Sequence, residues 1–336
     1  MAHDPAPDDI VQLADARAAA RRARDWSAAD ELLGRIRTAG WKVIDVGTLY
    51  DLVRAAPPDI LEGDVVRHGA STSVPSVLDA APSGTASVVI LATDWPEDVD
   101  RSVRALAGTS PAGTQIVIVA NGESEAQAAA LVALEAECPL AEGIALEVVW
   151  TSVRLGFAAA LNAGIRRATA PVVLLVDASV EPETDLVTPL VSALGDPTVA
   201  VAGPFGIVSE DLRRFTEPSE GVVDVDAIGS YAMAFRRSNY TVRGPLDEHF
   251  VFFRNLDVWW SLVLRDQGED EPDDAKPRRA LRVGGISIRR HEHRGWASLA
   301  DEERDRLSRK NFYRVLKRFA SRRDLLTSGG TGRPWP

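Results

Sequence analysis

Residues 154–177, RLGFAAALNAGIRRATAPVVLLVD, decide the fold. A small-residue segment with helical spacing runs through Ala170-Pro171 into five apolar residues, Val172 to Val176, and stops on the carboxylate Asp177. A short, β-branched apolar run bounded by turn residues reads as a strand buried on both faces. Two more runs of this kind precede it, SVVILATD from Ser87 to Asp94 and QIVIVANG from Gln115 to Gly122, with helical segments between. This βαβαβ succession predicts an α/β fold with an open parallel sheet, whose ligand sits beyond the carboxyl ends of the strands. Thr93-Asp94, Asn121-Gly122 and Asp177 end those strands and are expected to line one crevice, suited to a nucleotide-type ligand.

Composition narrows the class. The chain has 336 residues, 45% hydrophobic and 26% charged, enough for about two domains with a substantial core. No run reaches the ~20 apolar residues that span a bilayer, and the start MAHDPAPDDI lacks a signal peptide's basic and apolar regions. Cys138 is the only cysteine, which excludes an intramolecular disulfide and a cysteine-rich metal site. A cytoplasmic location is the expectation. The net charge of −11 argues against a protein that coats nucleic acid.

Pattern divides the chain into five parts. Residues 1–54 form a helical accessory domain, with two helices joined near Asp25-Trp26-Ser27, a short strand at Trp41–Ile44, and a turn then strand or short helix over Asp45–Tyr50. Residues 55–84, rich in Pro, Ser and Thr, read as a linker or irregular wrap. Residues 85–298 hold the α/β unit, including a solvated acidic loop at 269–274 and a strand over Arg282–Arg290. Residues 299–326 form a basic amphipathic helix, with Phe312, Val315, Leu316 and Phe319 on one face, and 327–336 a disordered tail.

The α/β region, from Ser87 to about Lys317, resembles the GT-A fold of family 2 glycosyltransferases, particularly the rhamnosyltransferase-like branch. Ala92-Thr93-Asp94-Trp95 is similar to the family's first-strand end, and Ala120-Asn121-Gly122-Glu123 to its nucleobase-holding stretch. The most specific match is Arg154-Leu155-Gly156-Phe157-Ala158-Ala159-Ala160-Leu161-Asn162-Ala163-Gly164 to N-x-G-F-A-x-A-x-N-x-G. Gly229 within AIGSYAMAFRRS, Gly244-Pro245-Leu246-Asp247-Glu248-His249-Phe250, Asn255-Leu256-Asp257-Val258 and Arg265-Asp266-Gln267-Gly268 resemble the family's later motifs in order. His291 matches its late histidine at metal or diphosphate.

The resemblance implies a mostly parallel GT-A sheet flanked by helices, and inverting transfer of a sugar from a nucleoside diphosphate donor to a hydroxyl of a glycan or lipid-linked acceptor. It makes Asp257 the catalytic base. Thr93, Asp94, Asn121, Arg154, Gly156, Asn162, Asp177, Ser179, Asp247 and Glu248 become substrate contacts. Asp177 and His291 become ligands to Mg²⁺ or Mn²⁺. The chain departs from the pattern where D-x-D is Asp177-Ala178-Ser179, where the nucleobase aspartate is Ala120, and where the glutamate before the base is Leu256. Serine offers no carboxylate to a hard cation, so Arg290, Arg294 or Lys310 are alternative partners for the diphosphate. The competing expectation is a degenerate relative that binds a nucleotide sugar or a protein partner without turnover.

Each residue also has a plainer reading. A carboxylate at Asp257 also satisfies free amides at a helix start, Asp177 also suits a turn, and Gly156 also suits close packing of helix on sheet. The helix N-terminus after Gly156 suits phosphate in the functional reading. The C-terminal arginines suit either a peripheral contact with the inner membrane face at a lipid-linked acceptor or a solvated outer face. The first forty-odd residues resemble the small C-terminal domain of cysteinyl-tRNA synthetases, through Arg17 to Arg21, Arg24-Asp25, Ala29-Asp30 and Gly40-Trp41-Lys42-Val43-Ile44-Asp45. RNA binding there is a third reading, and nearby acids favour a solvated helix.

Overall fold

The computed structural model describes residues 6–46, 49–92, 94–221, 223–266, 278–327 and 330–334. The acidic loop expected at 269–274 lies outside them.

The N-terminal unit packs α1 (Asp8–Arg22) and α2 (Trp26–Thr38) against an antiparallel hairpin of β1 (Trp41–Val46) and β2 (Leu49–Arg54). Asp25 caps α2 by accepting from the Ala28 amide at 3.1 Å. Ile10, Ala14, Ile36 and Trp41 form a small core of their own. Arg17 grips both oxygens of Asp45 at 2.9 and 3.0 Å and Arg21 joins it. Those guanidinium bonds, Arg17 first, hold the Asp45 carboxyl at about 2.

Residues 57–82 run along the next domain rather than hanging between two units, so of the two readings of 55–84, linker or irregular wrap, the structure takes the second. They begin with a hairpin, β3 (Ile60–Glu62) and β4 (Val65–Arg67). His68 then pairs with Thr151 beside the edge of the main sheet. Farther on, Arg166 donates to the Val74 carbonyl at 2.7 Å and Arg237 to that of Ala80 at 2.6 Å. Backbone groups that prolines and serines leave without a ladder are thus satisfied by arginines of the domain.

The main domain lays down β5 (Ala86–Ala92), α3 (Pro96–Thr109), β6 (Thr114–Ala120), α4 (Glu125–Ala136), β7 (Ile144–Trp150), α5 (Phe157–Ile165) and β8 (Val172–Val176). Then come β9 (Val180–Pro182), α6 (Val187–Ala193), β10 (Val199–Gly203), β11 (Gly206–Ser209), β12 (Phe215–Pro218), β13 (Asp224–Val225), β14 (Ala227–Ile228) and β15 (Ala232–Arg236). The rest is α7 (Arg237–Arg243), α8 (Leu256–Arg265), β16 (Arg279–Arg282), β17 (Ile288–Arg290), α9 (Arg294–Ala297), α10 (Asp301–Phe319) and β18 (Gly330–Pro334).

Eight strands form the central sheet in the order β13-β16-β10-β15-β8-β5-β6-β7. The four on the β7 side are mutually parallel, and β15 is antiparallel to both β8 and β10. One core, including Val89, Val117, Phe235 and Trp260, lies on one face and another, including Val88, Ile90, Ile116 and Leu174, on the other. Helices cover both faces, which is why these strands are continuously apolar.

Three expectations are corrected. Arg282–Arg290 is not one strand: β16 belongs to the central sheet, β17 pairs with β9 elsewhere, and Gly285 turns the chain between them at a φ of +77°. The C-terminal helix stops at Phe319, short of Leu326. Within the tail, Gly330–Pro334 pairs antiparallel with β12, so 327–336 is not wholly disordered. Among the described residues, no helix is long and apolar enough to cross a membrane.

Candidate active site

The carboxyl ends of β5, β6 and β7 are tied into one crevice. Asp94 accepts the Ser124 amide at 2.9 Å and an Arg154 guanidinium bond, and Arg154 also reaches the Gly122 carbonyl at 3.3 Å. Asn121 accepts the Leu155 amide at 2.7 Å and donates to its carbonyl at 3.1 Å. Its amide is therefore committed to holding the loop before α5. Gly122, at a φ of +61°, lets that loop approach, because a Cβ there would lie 2.6 Å from the Arg154 nitrogen. Thr93 lies outside the described residues. A cleft of about 290 Å³ opens here, lined by Trp95, Asn121, Arg154 and, across from them, Phe253, His293 and Arg294.

The floor of that cleft is Asp177. Its Oδ1 accepts from both the amide and the hydroxyl of Ser179, and its Oδ2 lies 3.2 Å from His293 Nε2. Burial works against the Asp177 charge, yet the histidine and Ser179 hold its pKa below the usual carboxylate range. Burial likewise opposes charge on His293, and Asp177 outweighs it, raising the imidazole pKa. His293 Nδ1 accepts the Trp296 amide at 3.1 Å, and the ring stacks on Phe253 with centroids 4.3 Å apart. The neutral form protonated on Nε2 keeps both nitrogen contacts, whereas the charged form must release Trp296.

His291, the histidine singled out from the sequence, points elsewhere. Its Nε2 sits 2.6 Å from Glu181 Oε2, so the side chain paired with Asp177 is His293, two residues on. Arg294 anchors this closing segment to α3 through Glu97 at 2.7 Å and Asp98 at 2.9 Å.

A second cavity, of about 290 Å³, opens on the other side of Asp177 and His293. Asp257 faces it from the first turn of α8. The corner between β14 and β15 joins the two carboxylates: the Tyr231 carbonyl accepts the Asp177 amide at 3.0 Å, and the Ser230 amide donates to Asp257 Oδ2 at 3.2 Å. Asp257 Oδ1 accepts the Val258 amide at 2.9 Å. Only 8% exposed, Asp257 has its pKa raised by burial, against the pull of those amides and of Arg254. The bonds from the Val258 and Ser230 amides accord with the helix-start reading of this side chain.

A family model for glycosyl transferase family 2 matches residues 87–259. The chain belongs to this family. Among solved structures, GalNAc-T7 with UDP, GalNAc and Mn²⁺ superposes on this chain with a TM-score of 0.56 at 15% identity, covering 72% of this chain and 49% of that one. The chain therefore spans about half the length of that relative. The mannosyltransferase PcManGT from Pyrobaculum calidifontis, in complex with GDP-Man and Mn²⁺, gives 0.52 at 17% identity over 75% and 71% of the two chains. The fold is of the GT-A type. No curated protein matches the chain.

Several residues marked as substrate contacts are tied into the scaffold of the domain. Asn162 is buried; its Oδ1 accepts from the Tyr240 hydroxyl and the Leu246 amide, each at 3.0 Å, and its Nδ2 donates to the Leu246 carbonyl and Glu248. Glu248 also takes the Ser71 hydroxyl, locking the 57–82 wrap to the domain. Asp247 is held by His249 and by Arg314 of α10. Gly156 admits Val251, whose Cα would lie 3.2 Å from a Cβ there. The first amides of α5, on Phe157 and Ala158, donate to the Val251 and Phe250 carbonyls at 3.1 and 3.0 Å. Close packing therefore accounts for that glycine, and those amides are not directed at phosphate.

Asp177 Oδ2 and His293 Nε2 are the groups suited to a cation. One carboxylate and one imidazole fit Mg²⁺ or Mn²⁺ when phosphate oxygens and water supply the remaining positions. Among the described residues, no three His, Cys, Asp or Glu side chains form a cage without such help.

Proposed function

We propose that this transferase moves a sugar from a nucleoside diphosphate donor to a hydroxyl of a glycan or lipid-linked acceptor, with inversion. One observation carries the reading: Asp177 and Asp257, from different elements, line the same cavity from the two sides of the corner at Ser230-Tyr231. The nucleotide occupies the crevice of Trp95, Asn121 and Arg154, and its diphosphate reaches Asp177 and His293. The acceptor enters from the opposite side, where Asp257 takes the hydroxyl proton. The acceptor oxygen then bonds to the anomeric carbon as the bond from that carbon to the phosphate oxygen breaks, and the nucleoside diphosphate leaves with the electron pair. Burial raises the basicity of Asp257, which strengthens it for this task once ionised.

Mg²⁺ or Mn²⁺ would be held by Asp177 and His293 in exchange for their hydrogen bond. When bound, the cation neutralises charge on the leaving diphosphate. The reading is in keeping with the Mn²⁺ and nucleotides of the two structural relatives.

Calorimetric titration of the full chain with UDP, GDP and dTDP, each with Mn²⁺ and with chelator, tests the donor site. Micromolar binding of one nucleotide supports the reading, and no binding by folded protein contradicts it. A second reading, binding without turnover, draws on Ser179, which leaves Asp177 as the sole carboxylate of the D-x-D position. It predicts donor binding with no release of nucleoside diphosphate.

A further inference from the structure

We propose that the cavity beyond Asp257 holds a phosphoryl group carried by the acceptor. The inference rests on the reading of Asp257 as the base, and it names the chemistry of the molecule that the base activates.

Three guanidinium groups from separate parts of the chain line this cavity: Arg213 from the loop after β11, Arg254 from the approach to α8, and Arg309 from α10. Several arginines of the protein are tied to carboxylates, as Arg67, Arg104, Arg154, Arg279, Arg294 and Arg322 are. Among the described residues, neither Arg213 nor Arg309 forms an ion pair with a carboxylate, and Arg309 donates through Nε to the Asp305 carbonyl at 3.2 Å. Arg254 lies over the Trp296 ring, 5.0 Å from its centroid.

Among the described residues, the carboxylates lining the cavity are Asp177, already engaged by His293 and Ser179, and Asp257. In a chain of net charge −11, three guanidinium groups thus face two carboxylates at this concavity. Guanidinium groups converging from several directions match a tetrahedral oxyanion, which accepts their forked donors on more than one edge. A low-dielectric wall focuses that field on an entering anion.

The rest of the lining agrees with a sugar or prenyl body beside the phosphate. Phe215, Tyr231 and Phe312 give flat apolar surfaces, and a cavity of about 290 Å³ exceeds a lone phosphate. The arginines belong to the acceptor side because the nucleotide crevice has a different lining, with Arg154 and Arg294 as its basic residues.

The test uses the full chain with its donor crevice saturated by whichever nucleoside diphosphate binds, in the presence of Mn²⁺. Glucose 1-phosphate is then titrated against methyl α-D-glucopyranoside, and farnesyl phosphate in neutral micelles against farnesol. The expected result is at least about tenfold tighter binding of a phosphorylated probe than of its neutral twin. Arg213→Gln and Arg309→Gln each reduce that preference several-fold and leave the nucleotide Kd unchanged. Preference within the glucose pair assigns a soluble sugar phosphate, and preference within the farnesyl pair a lipid-linked one.

Equal affinity within both pairs overturns the proposal. So does displacement of the nucleotide by the probe, or a weaker nucleotide Kd in the arginine variants, since the arginines would then serve the donor's diphosphate. Absence of any nucleotide binding overturns the transferase reading and this inference with it, whereas nucleotide binding without a phosphoryl preference overturns this inference alone.

Discussion

His293 Nε2 lies 3.2 Å from Asp177 Oδ2, and that contact divides the cleft of Trp95, Asn121 and Arg154 from the cavity of Asp257. The same imidazole caps α9 through Nδ1 and stacks on Phe253. One side chain therefore ties Asp177, the closing segment and Phe253 together at the wall between the two cavities.

His293→Ala is expected to abolish the gain in nucleotide affinity given by Mn²⁺, about tenfold or more by calorimetry, whereas His291→Ala leaves it intact. The variant also loses stability within a defined pH window. The lowered Asp177 pKa contributes stability above its unfolded value, which disappears as pH falls through the folded value. The raised His293 pKa contributes stability below its unfolded value near 6.5, which disappears as pH rises through the folded value. Between those limits, urea titration should show a loss of about 2 kcal/mol, intermediate between exposed and buried pairs.

The raised Asp257 pKa has the opposite consequence at neutral pH. Its stability contribution is complete below the unfolded carboxylate value and is lost as pH rises through the higher folded value. The difference in unfolding free energy between Asp257→Asn and the parent should therefore move toward the variant from pH 4 to pH 8. The kcat/KM profile of the parent should show an acid limb above the ordinary carboxylate range, because the base acts only when ionised.

The parallel strands and their crevice were legible in the sequence because buried β-branched runs such as Val172–Val176 carry their own signal. Asp177 and Asp257 were legible as motif carboxylates. The choice between His291 and His293 was not, since neither strand alternation nor helical period continues past β17 at Arg290 to assign each side chain a direction. Asn162 misled because a motif asparagine looks alike whether it meets a ligand or the Leu246 backbone. The pairing of Gly330–Pro334 with β12 depends on a partner more than a hundred residues away, which local glycine and proline content conceals.

Asn162→Ala leaves the Tyr240 hydroxyl and the Leu246 backbone without partners in a buried site. A loss of about 3 kcal/mol in chemical denaturation is expected, with nucleotide affinity unchanged. Weaker nucleotide binding in a folded variant would return this residue to the ligand.

Gly122→Ala and Gly63→Ala separate conformation from contact. Both glycines have left-handed φ values, +61° and +59°, but a Cβ meets Arg154 only at Gly122. Thermal or urea unfolding should show about 1 kcal/mol lost at Gly63 and at least twice that at Gly122, together with weaker nucleotide binding as Arg154 is displaced.

The most direct measurement of the central claim is nucleoside diphosphate release from the donor sugar that binds, by the parent and by Asp257→Asn, with donor affinity measured on both. The account predicts that release in the variant falls about 10²-fold or more while donor affinity stays within a factor of two. Equal release by the two proteins, or no release by a parent that binds its donor under every acceptor tried, would contradict it.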